Sequence, residues 1–151
     1  MEDAPIQLYV HSNPNKGAER FIEMVVTIDS ETSDFLPSAL DRKGRETFDQ
    51  LIGHRPVVAQ RGTLHARWKS PAHREACKEY QTRRGRWQKV KRYSAQMLAG
   101  DNFPPPVFLH PSITGGTDGL LMPIDGTRRI MACLEAGIGE IPVLIIRLRV
   151  P

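Results

Sequence analysis

PIDGTRRIMACLEAGIGEIPVLII, residues 123–146, reads as strand, corner, helix and strand. Residues 120–124 form an apolar run of strand length, and Asp125-Gly126 makes the corner. The spacing predicts a helix over 127–136 with Ile130, Cys133 and Leu134 facing inward, closed by Gly137. A last strand, 141–150, follows with Pro142 near its start. A helix that opens with Gly-Thr-Arg-Arg presents unpaired backbone N–H groups at its first turn, and the helix dipole adds positive potential there. Two arginines at that end oppose the dipole, so they are a poor choice for stability alone. Either Asp125 caps the helix while Arg128 and Arg129 face water, or an anion binds there and the arginines pair with it.

Upstream, Pro104, Pro105 and Pro106 lead into a short strand at 107–110, and ITGGTDG, residues 113–119, reads as a turn. Two helices are expected before it. The first starts at Ser70-Pro71, with Ser as N-cap and Pro in the first helical position, and carries a thin stripe of Ala72, Ala76 and Tyr80. The second places Trp87, Val90, Ser94, Met97 and Leu98 on one side and Arg86, Lys89 and Arg92 on another. A strand is expected within 60–68. In the first sixty residues, 7–10 suits a short strand, 21–28 a strand or the end of a helix with β-branched 25–28 favouring the strand, and 33–40 and 45–52 suit short helices. The class is α+β, a small mixed sheet packed with helices. Residues 1–60 are expected as an N-terminal extension and 61–151 as the main domain.

The chain has 151 residues, 40% hydrophobic and 25% charged, enough for a core without disulfides or structural metal. No apolar run approaches the roughly 20 residues of a membrane span, and the acidic N-terminus lacks the order of a signal peptide, so a cytoplasmic protein is expected. Cys77 and Cys133 have no partner at zinc-site spacing and suit reduced, apolar roles. His65, His73 and His110 form no local metal set; His110, beside the Gly-rich turn, has the strongest functional claim of the three.

The net charge of +4 is polarised. Residues 1–60 carry six Lys/Arg and ten Asp/Glu, whereas residues 61–98 carry eleven against two. Arg83, Arg84, Arg86, Lys89, Lys91 and Arg92 crowd into ten residues, with Trp87 and Tyr93 interleaved. Such a localised field suits nucleic-acid backbone, without sequence readout; a solvated helix face with Trp87 in the core is the ordinary alternative.

The strand ending in Asp-Gly, then X-Arg-Arg, an apolar helix, a Gly stop and Ile-Pro-Val resembles the ParB/sulfiredoxin superfamily. The order of helix, Pro-rich strand and Gly-rich hairpin upstream extends the likeness over residues 86–150. The family includes partition proteins, nucleases, nucleotide hydrolases, a free-serine kinase, sulfiredoxins and Osa-type plasmid proteins that suppress conjugative transfer. The resemblance implies that Gly126 matches the family's glycine and Arg129 its phosphate-contacting arginine. Thr127 stands where sulfiredoxins carry the catalytic cysteine, which removes the thiolate that sulfinic-acid reduction needs. The partition proteins carry an acidic residue there, and their clamp-type cycle lacks it here.

The expected activity is therefore a metal-dependent nuclease and/or ATPase. Asp125, Arg128 and Arg129 are its candidate catalytic residues, and Gly126, Thr127, Arg128 and Arg129 its nucleotide-binding set. Asp125 is the candidate ligand for Mg2+ or another divalent cation. ATP or another nucleotide and DNA are the expected ligands, the DNA held by the basic segment 83–92. A protein of a DNA-transfer or partition machinery is a further expected partner. The alternative is a non-catalytic DNA- or protein-binding module that inhibits conjugation. A small-molecule kinase would need another carboxylate at the corner, for which Glu75 and Glu79 are candidates.

Overall fold

The computed structural model describes residues 6–9, 20–33, 40–115 and 121–149. Six strands and five helices are seen among them: β1 (Ile6–Tyr9), β2 (Ile22–Ser33), α1 (Arg42–Ile52), β3 (Val57–Trp68), α2 (Pro71–Arg83), α3 (Trp87–Leu98), β4 (Val107–Leu109), α4 (Pro111–Thr114), β5 (Met122–Asp125), α5 (Thr127–Glu135) and β6 (Glu140–Leu148). The strands form one mixed sheet in the order β1-β2-β3-β6-β4-β5. Among the described residues only β4 and β6 run parallel; the other pairs are antiparallel.

Period-two burial sorts the side chains of this sheet onto two faces. Met24, Val26, Leu64, Phe108, Val143 and Ile145 pack under α2, α3 and α5, against Cys77, Trp87, Val90 and Ile130. On the other face Val107, Leu109 and Ile146 pack with Leu40, Phe48, Ile52 and Ile113, from α1, α4 and the residue leading into α1. The mixed α+β class and the burial of Trp87 agree with the sequence. The boundary drawn at residue 60 falls inside β3, and β2 before it is hydrogen-bonded to β3 along nearly its whole length.

Three local readings need correction. The stripe of Ala72, Ala76 and Tyr80 is exposed; α2 buries Cys77 and Gln81, and Arg74 on its inner side holds Glu135 of α5 with two hydrogen bonds at 3.0 and 2.6 Å. The first part of the expected turn at 113–119 belongs to α4, which is capped by His110; residues 116–119 lie outside the described ones. The helix expected over 45–52 begins earlier, at Arg42, with Asp41 as N-cap, while the one expected over 33–40 falls mostly outside the described residues.

Prolines decide where β4 stops pairing with β6. The amide of Leu144 donates to the Pro106 carbonyl (2.9 Å), and that of His110 to the Ile146 carbonyl (2.8 Å). One step back along this register, residue 142 should donate to the carbonyl of residue 104, and residue 106 to that of 142. Pro142 and Pro106 have no N–H, so the ladder ends there. The segment 101–106 separates from β6 and leaves a gap beside residues 141–143. The Pro104 carbonyl instead accepts from Arg129 Nη1 at 2.8 Å.

Candidate functional site

The corner between β5 and α5 is built from three directions. β5 ends at Asp125, whose side chain is buried, and Gly126 turns the chain with φ +92° to become the N-cap of α5. A Cβ on Gly126 would lie 2.8 Å from Pro106 Cα and 2.9 Å from Arg129 Nη2. The positive φ and the close approach of the Pro106 backbone therefore require a glycine at this corner.

Asp125 does not cap the helix. Among the described residues no side chain does, so within them the first-turn amides of α5 have neither an intrahelical nor a side-chain cap partner. Asp125 Oδ1 instead meets Arg129 Nη2 at 3.1 Å, and Oδ2 accepts a long hydrogen bond from the Asp41 N–H at 3.4 Å. The two arginines of the first turn thus differ. Arg129 is 13% exposed and occupied by Asp125 and the Pro104 carbonyl, whereas Arg128 lines the cleft in front of the helix start and makes no hydrogen bond or ion pair with a side chain among the described residues.

That cleft measures about 650 Å³. Thr127, Arg128 and Arg129 form one wall, Asp41, Lys43 and Thr47 of the α1 start a second, and Arg86, Lys89 and Tyr93 of α3 a third. Five cations and two carboxylates therefore surround one uncapped helix terminus. Asp41 was not expected from the sequence. It caps α1, accepting from the Gly44 N–H at 2.7 Å, and is the second carboxylate that the corner lacked. Gly44 is the signal that points to it. A Cβ there would lie 3.1 Å from Asp41 Oδ1 and 3.2 Å from the Ile124 carbonyl, closer than side chains ordinarily pack, so a glycine suits the close approach of the first turn of α1 to the end of β5.

The two carboxyls influence each other. Burial, with the neighbouring Asp41 carboxyl, raises the Asp125 pKa above the usual carboxylate range against the opposing pull of Arg129. For Asp41, burial opposes ionisation but is outweighed by the Gly44 N–H, the hydrogen bond with Asp125 and the charges of Arg129 and Arg128, so its pKa is lowered. One carboxyl is pushed toward holding a proton and the other toward releasing it.

The basic segment divides in the same way. Arg86 and Lys89 face the cleft, Lys89 within 5.5 Å of the Tyr93 ring centre. Arg83 pairs with Glu79, and Arg84 donates to Tyr80 Oη at 2.8 Å and stacks on its ring. Lys91 and Arg92 remain on the outer side of α3, both exposed. Glu75 and Glu79 lie on the outer face of α2, engaged with Arg74 and Arg83 and absent from the cleft wall. His110 is absent from it too: its Nδ1 accepts from the Ser112 N–H at 3.0 Å, a structural task. Both cysteines are buried and free, and burial pushes the Cys77 thiol up to about 12.

Among the described residues no three His, Cys, Asp or Glu side chains are grouped as a metal-binding set. Asp41 and Asp125 suit a cation that takes its other oxygens from water and phosphate, as Mg2+ does, rather than a closed all-protein site. No described helix is long and apolar enough to cross a membrane. Comparison with protein-family models, with curated proteins and with solved structures gave no match to this chain.

Proposed function

We propose that this chain is a ParB/sulfiredoxin-type phosphate-handling enzyme, which binds nucleotide and DNA phosphates in front of α5 and hydrolyses a phosphate ester there. One observation carries the proposal: Lys43, Arg86, Lys89, Arg128 and Arg129, with Asp41 and Asp125, line one cleft around a helix start whose amides have no side-chain cap among the described residues. The order β4, α4, β5, α5, β6, with β4 parallel to β6, supports the family assignment.

In this reading Arg128, Lys89 and Arg86 neutralise phosphate oxygens, and the Thr127 hydroxyl and first-turn amides donate hydrogen bonds to them. Arg129 acts from behind, holding Asp125 at the corner. Asp41 and Asp125 would hold a divalent cation, which supplies charge at the phosphate and acidifies a bound water. Asp41 is the carboxylate whose surroundings favour ionisation, so it would orient the attacking water, whose proton passes to solvent as the new P–O bond forms. The leaving oxygen departs beside the cations, which stabilise its charge.

The test uses the purified full chain with Mg2+, ATP and supercoiled plasmid. Asp41→Asn retains a good N-cap and should abolish turnover while nucleotide still binds; Arg128→Ala should weaken binding itself. Turnover at the wild-type rate in Asp41→Asn would remove Asp41 from the mechanism. A second reading, the non-catalytic DNA- or protein-binding module acting on conjugation, is favoured by the exposed Lys91 and Arg92 outside the cleft. Salt-sensitive DNA binding with no turnover by the wild type would select it.

A further inference from the structure

The gap that the prolines open beside β6 is a second cavity of about 690 Å³, adjoining the first. Phe103, Pro104 and Arg129 line both. We infer that residues 101–106 form a strap latched across this boundary by Arg129, and that a divalent cation seated on Asp125 releases it. The latch stands on the geometry alone. The trigger rests on the cation site proposed above and adds to it a conformational consequence.

The strap hangs from its two ends. At one end the Asp101 amide donates to the Gln96 carbonyl (3.0 Å), and at the other the Pro106 carbonyl accepts from the Leu144 amide (2.9 Å). Pro104, Pro105 and Pro106 bring no N–H of their own. Between those ends, the only hydrogen bond to the strap's backbone among the described residues runs from Arg129 Nη1 to the Pro104 carbonyl, at 2.8 Å. The Phe103 ring also meets Tyr93 edge-on, with centres 5.2 Å apart, a less directional hold. Consecutive prolines are stiff, so the strap moves as one piece. Gly100, just past the end of α3, has φ +93° and nothing within 4 Å of a Cβ, and it supplies the hinge.

The latch depends on Asp125. Arg129 is nearly buried, and the Asp125 carboxylate at 3.1 Å is the charge that keeps its guanidinium in so dry a place. A cation on Asp125 takes over Oδ1 and repels the guanidinium. A guanidinium deprived of its counter-charge does not stay buried, so Arg129 turns out toward water. The Pro104 carbonyl then loses its donor. Cation and latched arginine compete for one carboxylate, which is the difference in affinity that such a shift between closed and open strap requires.

Cys133 reports the strap, because it is buried and lines the gap, whereas Cys77 is sealed in the core and lines no part of it. The full chain is treated with iodoacetamide, and each cysteine is followed by peptide mass spectrometry. Mg2+ should speed Cys133 alkylation at least about tenfold and leave Cys77 unchanged, since slow alkylation reads the open population. Asp125→Asn and Arg129→Gln should react that fast without Mg2+ and respond to it no further. Burial raises the Cys133 pKa and the Arg129 charge opposes it, so departure of the arginine without opening would slow the reaction instead. Wild-type rates in both variants, or a rise that Cys77 shares, would overturn the latch. Calorimetry on the same samples divides the other failures. Mg2+ that binds without exposing Cys133 overturns the release alone, and Mg2+ that does not bind overturns the cation site and the release together.

Discussion

Arg129 Nη2 stands 3.1 Å from Asp125 Oδ1 one helical turn away, while its Nη1 donates to the Pro104 carbonyl at 2.8 Å. A single guanidinium thus ties together the end of β5, the start of α5 and the segment 101–106 that Pro142 cannot pair. Both side chains are nearly buried, at 13% and 6% exposure, so removing the arginine leaves a carboxylate without compensation in a poorly solvated place. Arg129→Ala should therefore cost about 3 kcal/mol in denaturant unfolding. Arg128→Ala, on the cleft wall, should cost within about 0.5 kcal/mol and act on phosphate binding instead. Equal stability of the two variants would show that the Asp125–Arg129 pair is not the strut described here.

Gly126 and Gly137 both have positive φ, at +92° and +80°, and bracket α5. Their surroundings differ: a Cβ at 126 runs into the backbone of Pro106, whereas nothing lies within 4 Å of one at 137. Gly137→Ala should lose only the conformational preference, about 1 kcal/mol. Gly126→Ala adds overpacking against a backbone that cannot give way, so its loss should be about 2–4 kcal/mol. Thermal unfolding of both variants measures the difference, and equal losses would contradict the close approach of Pro106.

The corner was legible because its signals are local: Asp-Gly, two arginines, an apolar helix and a Gly stop within fifteen residues. Ser70-Pro71 was legible for the same reason, and the structure places Ser70 as the cap. What sequence reasoning missed depends on contacts distant in the chain. Asp41 reaches Asp125 across 84 positions, and its place is set by the packing of α1 under β5, which no periodicity reveals. The inner face of α2 was misjudged because Arg74 and Gln81, polar by composition, face inward, with Glu135 satisfying the arginine. Pro142 was visible as a strand-start residue, but its effect on Pro104 requires the parallel register of β4 and β6.

The division of the basic segment makes a prediction for DNA. Each phosphate contact removed should reduce the slope of log K against log salt by about 0.9. Arg86→Ala with Lys89→Ala removes two cations that face the cleft, so the slope should fall by about 1.8. Arg83 and Arg84 are engaged with Glu79 and Tyr80, and their double replacement should change the slope by less than half as much. Fluorescence anisotropy with a single-stranded oligonucleotide over a salt series measures both. Equal slopes for the two double variants would mean that α2 and α3 contribute alike, and that the cleft does not organise binding.

The Asp41–Asp125 pair sets opposing pH effects. Asp125 holds its proton more firmly folded than unfolded, so the folded chain binds the extra proton between the ordinary carboxylate range and the raised value. Across that window its contribution to stability falls as pH rises. Asp41 is the reverse: its contribution is complete above the ordinary range and is lost as pH falls through its lowered value. Asp41→Asn keeps the α1 cap but removes the negative charge beside Asp125 and the acceptor of the shared proton. The titration of Asp125, followed by carbon-13 NMR of its carboxyl, should then move down toward the ordinary range, although burial keeps it from falling the whole way. Because Arg129 remains in place, its pull acts with less opposition in the variant, which reinforces the downward direction. An Asp125 curve identical in wild type and Asp41→Asn would mean that the two carboxyls do not share a proton, and would leave Asp41 as a helix cap alone.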